Sequence, residues 1–153
     1  MNIIIRKAEQ EDFPGILTLI KEFALFQKTP MKVSVTLEQM EKEKYLFQCL
    51  VAETAGLKIV GFASFFYAYF SWTGKALWLD DLYVTELYRR QKVGSRLLNA
   101  VIDLAMKEEC KKLRWQVSRW NENAIGFYKK MGASVDDMEI NCDLDLGRHA
   151  AND

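Results

Sequence analysis

The segment 84–107, VTELYRRQKVGSRLLNAVIDLAMK, decides how this chain is read. Val84 closes an apolar run, LWLDDLYV (77–84), and Val93, Leu97, Leu98, Val101, Leu104 and Ala105 recur at helical spacing as one apolar stripe. A strand therefore hands over to a helix through a turn that carries Arg89, Arg90 and Lys92, with Gly94 and Arg96 just beyond. The start of a helix offers free backbone N–H groups and about half a positive charge, which suits a phosphate. A solvated basic corner is the other reading, because one glycine is not a Walker loop and no dinucleotide fingerprint is present.

The strand before the turn holds two adjacent carboxylates, Asp80 and Asp81, inside an apolar run. Alternation along a strand points them to opposite faces. Charges in such a place are costly unless they are paired, solvated in a cleft, or used.

Working outward, NIIIRKA (2–8) reads as a β-branched strand and EQEDFPGILTLIKEFALFQ (9–27) as an amphipathic helix with acids at its start. A second short helix falls within 34–46, where Thr36 to Gln39 fits a capping box. FQCLVAET and LKIVGFASFFYAYF read as a hairpin, and Phe65, Phe66, Tyr67, Tyr69 and Phe70 crowd both faces of its second arm, as in a central strand covered on both sides. After the long helix come a strand in KLRWQVS, a short helix in NENAIGFYKKMG ending at Gly132, and a last strand in SVDDMEINCDLDL. The order β-α-α-β-β-β-α-β-α-β defines a mixed α/β chain, with no repeats, low-complexity tracts or linkers.

The 153 residues are half hydrophobic, enough for one domain with a sizeable core. Lysine plus arginine equals aspartate plus glutamate at 21 each, so no overall field attracts nucleic acid or an acidic membrane. Cys49, Cys110 and Cys142 are widely spaced without a C-x-x-C pair, which suggests neither a disulfide framework nor a zinc site. Reduced thiols in a cytoplasmic protein fit them. The apolar run at the amino terminus is too short for a signal peptide or a membrane span. His149 is the only histidine and lies in a polar tail, which argues against histidine triads and His-rich metal sites.

The set LWLDDLYVTELYRRQKVGSRLL, WQVSRWNENAIGFYKKMGAS and IIIRKAEQEDFPGILTLIKEF resembles the GNAT superfamily of N-acetyltransferases. It is similar in particular to the diamine (spermidine/spermine) and thialysine acetyltransferase branch, whose later helix reads W-N-E-P-A-I-x-F-Y-K-K-L-G-A. The YFSWTGK stretch (69–75) echoes a Y-x-x-W-x-G-K pattern of the same branch. The resemblance spans nearly the whole chain. It implies one domain over residues 1–153, with a mixed, mostly antiparallel twisted sheet splayed at its centre and flanked by helices.

It also implies a site. Acetyl-CoA would place its diphosphate against Arg89, Arg90, Gln91, Lys92, Val93, Gly94 and Ser95. Its amide-bearing arm would pair with the backbone of Leu82, Tyr83 and Val84, as an added strand does. Asn121, Asn123 and Ala124 would close the other side. Lys92 departs from the family, which usually has glycine there. Lysine at φ > 0 would cost on the order of 1 kcal/mol; alternatively its side chain points outward to a phosphate.

Tyr128 matches the general acid that protonates the departing thiolate; core packing is its plainer role. Asp80 matches the strand glutamate that binds the amine and relays its proton through water, being one methylene shorter, while Asp81 is assigned to structure. Backbone N–H groups near Leu82 or Tyr83 would receive the developing oxyanion. The tyrosine–glutamate pair that receives a cationic amine in the polyamine enzymes is here Phe26 and Gln27. Trp72, Trp78 and Tyr67 line an amine channel by cation–π contact or serve as plain core. The implied function is acetyl transfer from acetyl-CoA to a small primary amine without a metal, in a homodimer. Acetylation of a protein or peptide amine, and a non-catalytic CoA-binding regulatory domain, are the alternatives; nucleic-acid binding is weaker still.

Overall fold

β-Branched and aromatic runs separated by turn residues build a five-stranded sheet, and the two long amphipathic stretches become the helices that cover it. The structure is a computed structural model that describes residues 2–147, so His149 lies outside the described residues. The elements are β1 (Ile3–Lys7), α1 (Phe13–Phe26), α2 (Leu37–Lys42), β2 (Gln48–Thr54), β3 (Ile59–Phe70), β4 (Gly74–Val84), α3 (Val93–Lys107), β5 (Leu113–Trp115) and α4 (Glu122–Lys130). They fall into two compact units, Met1–Gln116 and Val117–Asp153.

In the first unit the strands lie in the order β1-β2-β3-β4-β5. The first four pair antiparallel, and β5 pairs parallel to β4. The β4–β5 ladder runs only from Leu77↔Leu113 to Leu79↔Trp115, so β4 continues to Val84 with no β5 partner along its second half. There β4 and β5 part, and that edge of β4 is open.

Neighbouring residues of β3 face opposite ways, and the two helices divide accordingly. Phe62 joins Phe13, Ile16 and Leu19 of α1 with Cys49, Val51 and Tyr83 in one buried cluster. Gly61 faces α3: a Cβ there would meet Leu97 Cδ1 at 3.2 Å, Val84 Cγ2 at 3.2 Å and the Tyr83 carbonyl oxygen at 3.1 Å. Glycine at this point lets the α3 face of the sheet close on Leu97. Each fully buried aliphatic or aromatic side chain in these layers is worth about 1.5–3 kcal/mol, so the two faces fix α1 and α3, and with them the turn that joins β4 to α3.

Local signals hold the ends. Thr36 Oγ1 accepts the Gln39 N–H at 3.1 Å and caps α2, and Gly132 ends the last helix at φ 101°. Arg6 forks between Asp12 (2.8 Å) and Glu53 (2.7 Å), tying β1, the α1 entry and β2. The guanidinium holds the Asp12 carboxyl below its ordinary range.

Two sequence expectations are corrected. β3 is covered on both faces only from Val60 to Phe65; Phe66, Tyr67 and Tyr69 are exposed. Pairing with β2 ends at Gln48↔Phe65, so the rest of β3 pairs with β4 alone, as an arm that is two strands wide from Ala68 to its tip. The strand expected within 134–146 does not form among the described residues of the second unit. A strand persists only where a neighbour completes its ladder. Here Val135, Met138, Ile140, Leu144 and Leu146 are exposed, with no strand beside them among the described residues.

Candidate active site

The two carboxylates of β4 sit at a break in the ladder. Leu79 pairs with Phe65 and Asp81 with Ser64, so Asp80 is an extra residue with no partner across the strands. Such a bulge re-aims side chains. Leu79 and Leu82 both fall on the Gly61 face, three residues apart, which strict alternation forbids. Asp80 and Asp81 therefore share the α1 face, correcting the expectation that they point apart. Asp80 is exposed and Asp81 half-buried. Burial raises both carboxyls, and the neighbouring charge of Asp80 adds to the effect on Asp81, which is pushed up to about 6.

Beyond β4 the chain makes a short 3-10 turn (Glu86–Tyr88) and then two left-handed residues, Arg90 at φ 66° and Lys92 at φ 63°. Both are L-residues where glycine is favoured, at a cost of about 1–2 kcal/mol each. Of the two alternatives for Lys92, the left-handed backbone is present, and its side chain is exposed as well. The Arg96 N–H is bonded to the Lys92 carbonyl at 3.0 Å, so by helix geometry the N–H groups of Val93, Gly94 and Ser95 lack intrahelical acceptors. Val84, Arg89, Arg90, Lys92, Val93, Gly94 and Ser95 line one cavity of about 330 Å³. A Cβ at Gly94 would lie 3.8 Å from Val84 Cγ2, an ordinary contact, so packing against Val84 does not demand the glycine. Its absent side chain instead leaves room at the cavity wall beside the helix start.

The cations of this turn divide. Arg90 and Lys92 are exposed at the cavity. Arg89 also borders it, but its Nε donates to the Val84 carbonyl at 2.9 Å and its guanidinium lies over Phe26 (4.7 Å) and Tyr83 (5.3 Å). Arg96 donates to the Ile3 carbonyl at 2.7 Å, a tie between α3 and β1. Gln91 donates to the Leu87 carbonyl and does not line the cavity.

The Thr85 N–H bonds to Val60 on β3, so alternation turns the backbone groups of Val84 and Leu82 to the other edge, where β5 has ended. Tyr83 points to α1, stacked on Phe23 at 4.9 Å, and its hydroxyl donates to Glu22 at 2.9 Å. Phe26 is exposed and touches the turn through Arg89; Gln27 follows it as the C-cap of α1. Trp72, 97% exposed, lies at the tip of the β3–β4 arm, away from the cavity-lining residues. Trp78 stacks on Phe66 under Arg114, and Tyr67 is covered by Lys75; both belong to that arm.

The second unit carries the remaining residues. Asn121 caps α4, accepting the Ala124 N–H at 3.2 Å. Asn123 is exposed in the first turn. Tyr128 is half-buried, its ring edge-on to Phe127 at 5.7 Å, and burial raises its phenol above the ordinary value. Sequence reasoning missed Glu22 and Thr85, whose hydroxyl also donates to Glu22. Glu22 looks like any helical surface acid, and its partners lie some sixty residues away, so no local signal marks it.

A mixed sheet flanked by helices, with a cationic cavity at the start of α3, defines a fold suited to an anionic ligand. Residues 5–133 match the acetyltransferase (GNAT) family, and the chain belongs to that family of enzymes. It is 32% identical over 143 residues to a thialysine N-epsilon-acetyltransferase of Sus scrofa, covering 86% of this chain and 84% of that one. It is 35% identical over 139 residues to spermidine/spermine N(1)-acetyltransferase-like protein 1 of Homo sapiens, covering 84% of this chain and 20% of the relative. Glucosamine-6-phosphate N-acetyltransferase from Arabidopsis thaliana shares the fold, with a TM-score of 0.75 at 22% identity over 95% of this chain and 100% of that structure. Among the described residues no helix is long and apolar enough to cross a membrane, and no group of three or more His, Cys, Asp or Glu could hold a metal.

Proposed function

We propose that this enzyme transfers the acetyl group of acetyl-CoA to a primary amine of a small molecule, a diamine, a polyamine or a lysine-like amino acid. The observation that carries the reading is the cavity lined by Arg90, Lys92 and the Val93–Ser95 helix start, next to the open edge of β4. Acetyl-CoA, when bound, supplies the acetyl group as a thioester. The chain's part is to hold and orient. Backbone N–H groups of residues 93–95 and the two exposed cations suit a diphosphate. The outward backbone groups of Leu82 and Val84 suit the amides of an extended arm.

Asp80 and Asp81 draw the ammonium of the substrate to the bulge. An alkylammonium loses its proton near ~10.4 unperturbed, so the amine needs an acceptor before it can attack. Asp81, which the resemblance assigned to structure, joins Asp80 in this role: a carboxyl that titrates near 6 is a better proton acceptor at neutral pH than an ordinary one, and a water between it and the amine completes the path. Tyr128, kept protonated by its raised pKa, gives the Oη proton to the departing sulfur. Asn121, Asn123 and Ala124, at the start of α4, are further contacts for the carrier.

The chain works as a single catalytic domain in the cytoplasm, as a homodimer, with no nucleic-acid or membrane partner and no metal. Residues 138–146 support the dimer: Met138, Ile140, Leu144 and Leu146 alternate with polar residues and are exposed, the pattern of a strand completed by another copy. The test is free-thiol release from acetyl-CoA across a panel of diamines, polyamines and diamino acids. Release with at least one is expected; silence across the panel despite measurable CoA binding contradicts it.

A further inference from the structure

Glu22, in the second half of α1, accepts two hydroxyl hydrogen bonds at one oxygen, Oε1, from Tyr83 at 2.9 Å and from Thr85 at 2.6 Å. The Tyr83 ring spans the gap to a cation: its hydroxyl meets the carboxylate while its face carries the Arg89 guanidinium 5.3 Å from the centroid. The same guanidinium lies 4.7 Å from the centroid of Phe26, one helical turn after Glu22. One carboxylate, two aromatic faces and one internal cation thus form a cluster beside the cavity. Among the described residues Glu22 and Arg89 make no direct ion pair. A carboxylate with aromatic rings around a cation is the chemistry that recognises an alkylammonium.

We infer that Arg89 is a stand-in cation occupying an amine subsite made by Glu22, Tyr83 and Phe26, and that filling the adjoining cavity with a diphosphate draws it away. The inference rests on the reading of that cavity as the cofactor site. Three features support the exchange. Arg89 borders the cavity, so a diphosphate there is within its sphere. Charge-assisted, bidentate guanidinium–phosphate bonds are stronger than the half-exposed cation–π contacts they would replace. And the Nε bond to Val84 holds a carbonyl that faces the open edge of β4, which the carrier's arm would claim.

With Arg89 gone, the two ring faces are open to a cation of the substrate, and the Glu22 charge lies just beyond them at the hydroxyl end of Tyr83. Asp81 and Tyr83 stand two residues apart on one face of β4, roughly 7 Å. A substrate with two amines can therefore place the reacting one at the Asp80–Asp81 bulge and the other toward Glu22. Glu22 is a specificity-determining residue in this scheme, and it replaces the charge that Gln27 lacks. Amine affinity becomes conditional on the cofactor, because the subsite is filled from within until the cofactor arrives.

The experiment is calorimetric titration of the full chain with thialysine, without and with saturating CoA, after CoA alone has been titrated. Wild type is expected to bind thialysine at least about tenfold more tightly with CoA, within the ordinary range of coupling between sites. Arg89→Gln, or Arg89→Met if the glutamine variant does not fold, is expected to bind thialysine without CoA as tightly as wild type does with it. Glu22→Gln is expected to lose that gain. CoA that binds while thialysine affinity stays unchanged, absence of thialysine binding in both states included, overturns the inference and leaves the cofactor reading standing. An Arg89→Gln protein that binds thialysine no better than cofactor-free wild type overturns it as well. Failure of CoA itself to bind removes the cofactor reading, and the inference with it.

Discussion

Asp80 and Asp81 stand side by side on the α1 face of β4 because the β3–β4 ladder skips one residue between Phe65↔Leu79 and Ser64↔Asp81. Burial, and after it the neighbouring charge of Asp80, disfavours ionisation and pushes the Asp81 carboxyl up to about 6 from 3.8. The folded state then holds that proton more tightly than the unfolded chain. Its stabilising contribution is complete below the ordinary value of 3.8 and is lost as the pH rises through about 6. Asp81→Asn should therefore leave the melting temperature unchanged near pH 4 and raise it above pH 7, where the stability gained is at most about 3 kcal/mol. Thermal melts across that range check it. Turnover of the same variant should lose the acidic limb of its pH profile near 6.

Burial moves the Tyr128 phenol above its ordinary value, which favours the protonated form that a general acid needs. Tyr128→Phe should reduce kcat by about 100-fold or more, the usual worth of a positioned acid, and leave CoA affinity within a factor of about two. Steady-state kinetics with parallel CoA titration separate the two effects. Equal kcat would reassign this tyrosine to packing.

Lys92 adopts φ 63° at the N-cap of α3. Lys92→Gly removes the left-handed strain while adding freedom to the unfolded chain, so the net gain is roughly 0.5–1 kcal/mol. Denaturant midpoints at fixed slope measure it. CoA affinity should fall only modestly, because the backbone of the helix start is retained and a single exposed cation is lost.

A methyl group at Gly61 would be tight: the Tyr83 carbonyl oxygen at 3.1 Å is backbone and would have to give by a few tenths of an ångström. Gly61→Ala should destabilise the fold by about 1–3 kcal/mol, the cost of overpacking. Because the displaced segment leads into the cavity-lining turn, CoA affinity should fall too. Gly126, which has nothing within 4 Å of its would-be Cβ, is the control.

Much of the fold was legible because periodicity is local. The α3 stripe, the alternation of β1 and β2, the Thr36 cap and the glycine stop at Gly132 each depend on residues a few positions apart. The bulge at Asp80 was not legible, since it is a property of how β4 meets β3 and no turn residue announces it. The last strand was misread for a related reason: 138–146 has the right alternation, but pairing needs a second strand that the pattern itself cannot supply. Within the site, the cavity-lining turn followed from motif and helix chemistry. The inward turn of Arg89 onto Phe26, Tyr83 and the Val84 carbonyl did not. That contact joins α1 to a turn more than sixty residues later, and only the packed sheet brings the two together.

The most direct measurement is a crystal structure of the chain grown with CoA. Diphosphate oxygens within hydrogen-bond distance of the Val93, Gly94 and Ser95 N–H groups, with the arm along Leu82–Val84, are the expected result. A diphosphate bound elsewhere, with residues 89–95 untouched, would contradict the assignment of this turn and the chemistry built on it.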